Sequence, residues 1–170
     1  MRKYLQVVDR HKASKVLRLI NYFIDLFFNF IIISVLFGIL GLLYSLVSGI
    51  PFQEVAYMME NVNPLLDRLV TLLTYAFLMF STETITGGRS LGKLLTGTQV
   101  IMIDGTRPKA GNYFLRNIIR CLPFIDQLSF LGENGFHDAW SETRVVVKKH
   151  YEAELRAKDD INSIGTKEIV

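Results

Sequence analysis

One long apolar run constrains the fold of this chain more than any other feature. Residues 19–47 are 29 residues with a single charged side chain, Asp25. A helix of that length spans about 43 Å, whereas the hydrocarbon core of a bilayer is roughly 30 Å thick, and tilt can take up the excess. The run is about twice as long as the apolar part of a signal peptide, and no cleavage-like site follows it. We therefore expect a retained transmembrane helix over about 18–48.

A second apolar segment, residues 64–86, is weaker. Asp67 and Arg68 stand in its first turn and Glu83 in its last, and charges at helix ends can reach the membrane surface. A buried helix of a soluble domain is the alternative interpretation. The distribution of basic residues favours a second span, since residues 50–64 contain neither Lys nor Arg and basic residues flank both segments on their other sides.

Those flanking charges also predict the orientation of the hairpin. Basic residues concentrate on the cytoplasmic side of a membrane, so we expect both termini in the cytoplasm and residues 50–64 outside. This predicts a multi-pass membrane protein. The basic residues that precede or begin the first span are Arg2, Lys3, Arg10, Lys12, Lys15 and Arg18.

The remaining sequence predicts a small cytoplasmic cap, residues 87–149. A glycine-rich turn is followed by a strand at 97–103, and residues 143–149 are rich in β-formers and can pair with it. The apolar segment 112–131 contains arginines and Pro123, which favours a helix at the membrane surface or a re-entrant helix over a third span. We expect residues 1–17 to be a basic N-terminus, and residues 150–170 a charged tail with one helical turn and then disorder.

The predicted fold class is therefore an all-α membrane protein, a two-helix transmembrane hairpin with a small cap of one short two-stranded sheet and a membrane-surface helix. Half of the 170 residues are apolar and 21% are charged, which argues against a disordered chain. One cysteine, three scattered histidines and a net charge of +3 indicate no disulfide framework, metal site or nucleic-acid partner. We expect no catalytic residues and no cofactor.

A glycine-rich stretch, Gly87 to Lys93, is similar to a phosphate-binding loop only in part. Leu94 stands where a Ser or Thr would hold magnesium, and the stretch follows an apolar helix where a strand is required. We expect Gly88 and Gly92 instead to allow a tight turn where one backbone crosses another.

Asp25 is the most informative polar residue, because a carboxylate about 10 Å into a transmembrane helix is costly unless it is paired, hydrated or protonated. Arg18, Tyr22 and Asn29 fall at helical spacing on the same face. One interpretation is an ion or proton site, which Glu83 could join. The other is a structural clasp, with Asp25 paired to an arginine, for which the candidates are Arg18, Arg116 and Arg120.

Several motifs follow one another along the chain, namely Arg18 with Asp25, GRSLGKLLTG at 88–97, LRNIIR at 115–120, and GFHD at 135–138 followed by TRVV at 143–146. Their order resembles the RDD family of bacterial membrane proteins over most of the chain, which implies a bacterial cytoplasmic membrane as the location. RCLPFID at 120–126 and LSFLG at 128–132 resemble the form found in Bacteroidetes.

The resemblance implies a site of one arginine and two aspartates, for which Arg18 and Asp25 match the first two. Asp138 is the third, with Asp126 as the alternative. The family has no defined molecular function, and transport of unidentified ligands has been proposed for it. We expect an oligomer, or a complex with another membrane protein, that transports an ion or small solute. The alternative is an adaptor or assembly protein whose cap binds a partner. The full candidate network is Arg18, Asp25, Asn29, Glu83, Arg116, Arg120, Asp126, His137 and Asp138.

Overall fold

The computed structural model describes residues 5–121 and 136–167. Two long apolar helices dominate it, α2 at Lys15–Ser48 and α4 at Pro64–Ile85, and both are long and apolar enough to cross a membrane. Their ends follow local chemistry. The Ser14 side chain accepts a hydrogen bond from the backbone of Leu17 at the start of α2, and Gly49 ends that helix in the left-handed conformation, with φ of 72°. The predicted hairpin is confirmed.

The loop between the two long helices contains a short helix that the sequence analysis did not predict. After the five-residue helix α1 (Gln6–Arg10) and α2, the next element is α3, at Phe52–Glu60. Its Val55 is buried, and a Cβ added at Gly41 of α2 would lie 3.1 Å from the sulfur of Met59. The absence of a side chain at Gly41 thus lets α3 pack closely against the C-terminal half of α2.

The cap contains the predicted sheet. Its elements are α5 (Leu91–Thr96), β1 (Thr98–Met102), α6 (Ala110–Cys121), α7 (Phe136–Trp140) and β2 (Thr143–Val147). β1 and β2 are antiparallel, with Thr98 opposite Val147 and Met102 opposite Thr143. Backbone of the N-terminal segment adds to the free edge of β2, where Ala13 donates a hydrogen bond of 2.8 Å to the carbonyl of Val145.

The charged tail is a helix, so the expectation of disorder after one helical turn is wrong for residues up to Lys167. This helix, α8, occupies Lys148–Lys167. Tyr151 on its inner face is buried with Val7 and Val8 of α1 against the sheet residue Val146. Burial of that aromatic ring joins the two ends of the chain on one side of the sheet and stabilises α8 despite its high charge.

α6 is amphipathic, but its charged and polar side chains lie on the buried side and apolar side chains are exposed, unlike in a helix of a soluble protein. Arg116 and Asn117 are at most 1% exposed, while Phe114, Leu115 and Ile118 are 42–53% exposed. The third apolar segment of the sequence is thus a helix as far as Cys121, and residues 122–131 of the predicted helix lie outside the described residues.

Candidate functional site

Asp25 lies on the buried face of α2 and is bound by the start of α5. Its Oδ2 accepts a 2.6 Å hydrogen bond from the Ser90 hydroxyl, and its Oδ1 accepts one of 2.7 Å from the backbone N–H of Gly92. Within the described residues these are the partners of the carboxylate. The arginine clasp, one of the two interpretations of Asp25 from the sequence, is therefore wrong. The α5 turn occupies the position next to this carboxylate, and Arg116 extends to Asp138.

Gly92 makes this approach possible. A Cβ added there would lie 2.5 Å from the backbone oxygen of Asn21, well inside van der Waals contact. At Gly88, φ is 96° and an added Cβ would lie 2.7 Å from the oxygen of Val100. The prediction that these glycines serve a close backbone crossing is confirmed at both positions.

A second buried pair joins α4 to α5. Glu83 is 0% exposed and Lys93 is 1% exposed, and the Lys93 ammonium donates a hydrogen bond to Glu83 Oε1. Lys93 Nζ also lies 3.3 Å from the Ser90 oxygen. Burial lowers the pKa of Lys93, the negative charge of Glu83 opposes that effect, and the positive charge of Arg120 adds to it. Asp25, Ser90, Lys93 and Glu83 thus form one continuous hydrogen-bonded chain.

A third group extends this chain to α6 and α7. Arg116 is fully buried, donates to the carboxylate of Asp138, and lies with its Nε 3.8 Å from Glu83 Oε1. Asn117 donates to Glu83 Oε2 at 3.0 Å. Arg18 of α2 stands 3.8 Å from Asp138, so the arginine and the second aspartate expected from the resemblance are in contact.

Together these side chains form what we call the polar network. It joins both long helices to α5, α6 and α7 of the cap. Its carboxylates lie opposite cations or hydrogen-bond donors, so charges are compensated within it. Its members are Arg18, Asp25, Glu83, Ser90, Lys93, Arg116, Asn117 and Asp138.

The other predicted site residues are distributed differently. Asn29 is one turn beyond Asp25, and its side chain donates to the Asp25 carbonyl at 2.7 Å and lies 3.4 Å from the Met79 sulfur. Arg120 is half-buried near Lys93. Asp126 lies outside the described residues, as does the side chain of His137.

Three members of the network were not predicted from the sequence, and they are Ser90, Lys93 and Asn117. The spacing of Lys93 ten residues after Glu83 was a usable signal once the glycine turn was recognised, because a tight turn brings α5 back onto the end of α4. Asn117 lies beside Arg116, one position from a residue that the analysis did select.

Several polar atoms of α6 are buried without a hydrogen-bond partner in the described chain. They are Nε and Nη2 of Arg116, Oδ1 of Asn117 and the Tyr113 hydroxyl. Burial raises the pKa of Tyr113 to about 12, so its hydroxyl stays neutral. Donors and acceptors of this kind are the groups that buried water molecules bridge.

Among residues 5–121 and 136–167, no three His, Cys, Asp or Glu side chains come together as metal ligands. In comparison with known proteins, a family model described as the RDD family matches residues 12–148. No curated protein and no solved structure matches the chain.

Proposed function

The chain belongs to the RDD family, and from that premise we propose that this membrane protein transports a proton or another small cation as part of an oligomer in a bacterial cytoplasmic membrane. One observation carries the proposal. Two carboxylates of the spanning helices, Asp25 and Glu83, are linked through Ser90 and Lys93 by hydrogen bonds. Ionisable side chains inside transmembrane segments are costly and mark ion pathways and proton relays in membrane proteins.

The chain of hydrogen bonds can move a proton without separating charge over a long distance. Lys93 gives a proton to the Ser90 oxygen while the Ser90 hydroxyl gives its own proton to Asp25. The result is a neutral lysine and a neutral aspartic acid. Glu83 then remains negative without its ammonium partner and can receive a small cation. Asp25 then releases its proton to one side of the membrane, and a proton taken up by Lys93 from the other side expels the cation, so that proton and cation cross in opposite directions.

Transport requires more than one copy of the chain or a second membrane protein. Two transmembrane helices do not enclose a hydrated path by themselves. The proposal therefore predicts an assembly of several copies in nanodiscs, and a strictly monomeric protein would argue against it.

The direct test is ion flux in proteoliposomes. We expect the native protein to dissipate a proton gradient when Na⁺ or K⁺ is present on the opposite side, read with an internal pH dye. Ser90→Ala removes the bridging hydroxyl but no charge and should abolish the flux. Thr96→Ala is a matched control, because it removes a neighbouring hydroxyl that bonds to Asn21 outside the Asp25–Glu83 chain. Native flux equal to that of protein-free liposomes would refute the proposal.

A non-transport adaptor is the second candidate, and one observation favours it. Asp25, Glu83 and Asp138 each bind a side chain or amide from another element, so the polar network also fixes the cap rigidly on the hairpin. In this case the native protein shows no flux. Asp138→Asn should then loosen the cap, as measured by faster amide exchange in β1 and β2, and Thr96→Ala should not.

A further inference from the structure

We propose that α5 and α6 are immersed in the cytoplasmic leaflet of the membrane, and that their exposed apolar side chains contact phospholipid acyl chains. We call these side chains the leaflet surface. The side chains are 40–68% exposed, and they are Leu94, Leu95, Phe114, Leu115 and Ile118.

The contact of α5 with α2 sets the depth of α5. Gly92 lies against the backbone of Asn21, and its N–H binds Asp25. Asp25 follows Arg18, the last charged residue before the apolar run, by seven residues, or about 10 Å along the helix. α5 therefore lies beside the part of α2 that is within the bilayer, and Leu94 and Leu95 are at acyl-chain depth.

The contact of α6 with α4 gives the same depth independently. The ring of Phe114 meets that of Phe80 edge to face, with centroids 5.8 Å apart, and Asn117 binds Glu83. Phe80 precedes the last residue of α4, Ile85, by five positions, or about 7.5 Å along the helix. α6 lies beside a part of α4 that is within the bilayer. It is therefore deeper in the membrane than a helix that rests on the membrane surface.

Acyl chains are the occupant that the structure favours, because the leaflet surface is continuous with a lipid-facing surface that a membrane already covers. Phe77, on the same helix as Phe80, is 66% exposed and lies within a spanning segment. The polar side of α6 faces the polar network, so its apolar side chains contact lipid and its polar side chains contact protein. This arrangement shields the network from the acyl chains.

The test uses tryptophan fluorescence in nanodiscs of brominated phosphatidylcholine. Trp140 is the one tryptophan of the chain, so Trp140→Phe gives a silent background. Tryptophan is then introduced singly as Leu95→Trp or Ile118→Trp, with Phe27→Trp in α2 as the lipid reference. Ile161→Trp in α8 is the matched control, because Ile161 is 67% exposed on the charged tail helix.

We expect bromine to quench Leu95→Trp and Ile118→Trp to within twofold of Phe27→Trp, and several-fold more than Ile161→Trp. Quenching equal to that of Ile161→Trp, together with access to aqueous acrylamide, would overturn the inference. Protection from both bromine and acrylamide would also overturn it and would indicate that protein, such as a second copy of the chain, covers the surface. The inference does not depend on transport, so flux results leave it unaffected.

Discussion

Adding a single methyl group at Gly92 should loosen the cap from the hairpin. The Cβ of Gly92→Ala would lie 2.5 Å from the Asn21 oxygen and 3.1 Å from two other backbone atoms of that residue, so only a shift of α5 or α2 relieves the clash. Such overpacking costs about 1–3 kcal/mol. A shift also weakens the hydrogen bond from Gly92 to Asp25, and a hydrogen bond to a charged group contributes about 1.5–3 kcal/mol.

Higher helix propensity offsets part of that loss. Replacing Gly by Ala inside a helix gains up to about 1 kcal/mol, so we expect Gly92→Ala to be less stable than the native protein by about 2–4 kcal/mol. Gly111→Ala is the matched control, since Gly111 lies in α6 and an added Cβ meets nothing within 4 Å. That variant should be unchanged or more stable by up to about 1 kcal/mol.

The stability of both variants is measured by unfolding in mixed micelles with rising dodecyl sulfate. Trp140 fluorescence reports the unfolding. Relative to the native protein, we expect a lower dodecyl sulfate midpoint for Gly92→Ala and an equal or higher midpoint for Gly111→Ala. If the two variants unfold within about 0.5 kcal/mol of each other, which is the usual scatter of surface substitutions, the close crossing does not limit stability.

Three further predictions concern topology, Asp25 and the tail. A cysteine at Gln53 should react with an impermeant reagent from outside and one at Thr106 should not, and reversed labelling would overturn the orientation. Asp25→Asn should lower the free energy of unfolding by only about 1 kcal/mol, because the partners of Asp25 are neutral groups and an amide keeps one acceptor. A destabilisation as large as that of Asp25→Ala in the same unfolding assay would contradict this. The hydrogen bond with His11 lowers the pKa of Glu154, so the contact stabilises the folded protein above the usual glutamate pKa and is lost as pH falls below about 4. NMR shifts of α8 amides should report this loss in the native protein and stay constant in Glu154→Gln.

The membrane-spanning part of this fold could be predicted because lipid imposes a simple pattern. A long apolar run predicts a spanning helix independently of the other segments. The glycines at 88 and 92 indicate a close backbone crossing, because residues with a Cβ do not fit there. The strand at 98–102 was visible from β-branched residues next to a turn signal.

The pairing inside the polar network could not be predicted, because it depends on which elements meet in space. Asp25, Arg116 and Arg120 were reasonable partners by charge, yet the tertiary fold brings Ser90 and the amide of Gly92 to Asp25. The tail was misread for a related reason. Its composition is that of a solvated segment, and the burial of Tyr151 that orders it requires residues near the other end of the chain.

The joining of the two chain ends has a consequence for biosynthesis. The backbone of Ala13 hydrogen-bonds to Val145, and Val7 and Val8 pack with Tyr151, so residues before the first span meet partners that are made much later. At a synthesis rate of about 5–20 residues per second, the N-terminal segment waits on the order of 10 s for those partners. Both spans are complete well before then. The hairpin therefore enters the bilayer while the cap is still open, and the sheet closes only after β2 has been made.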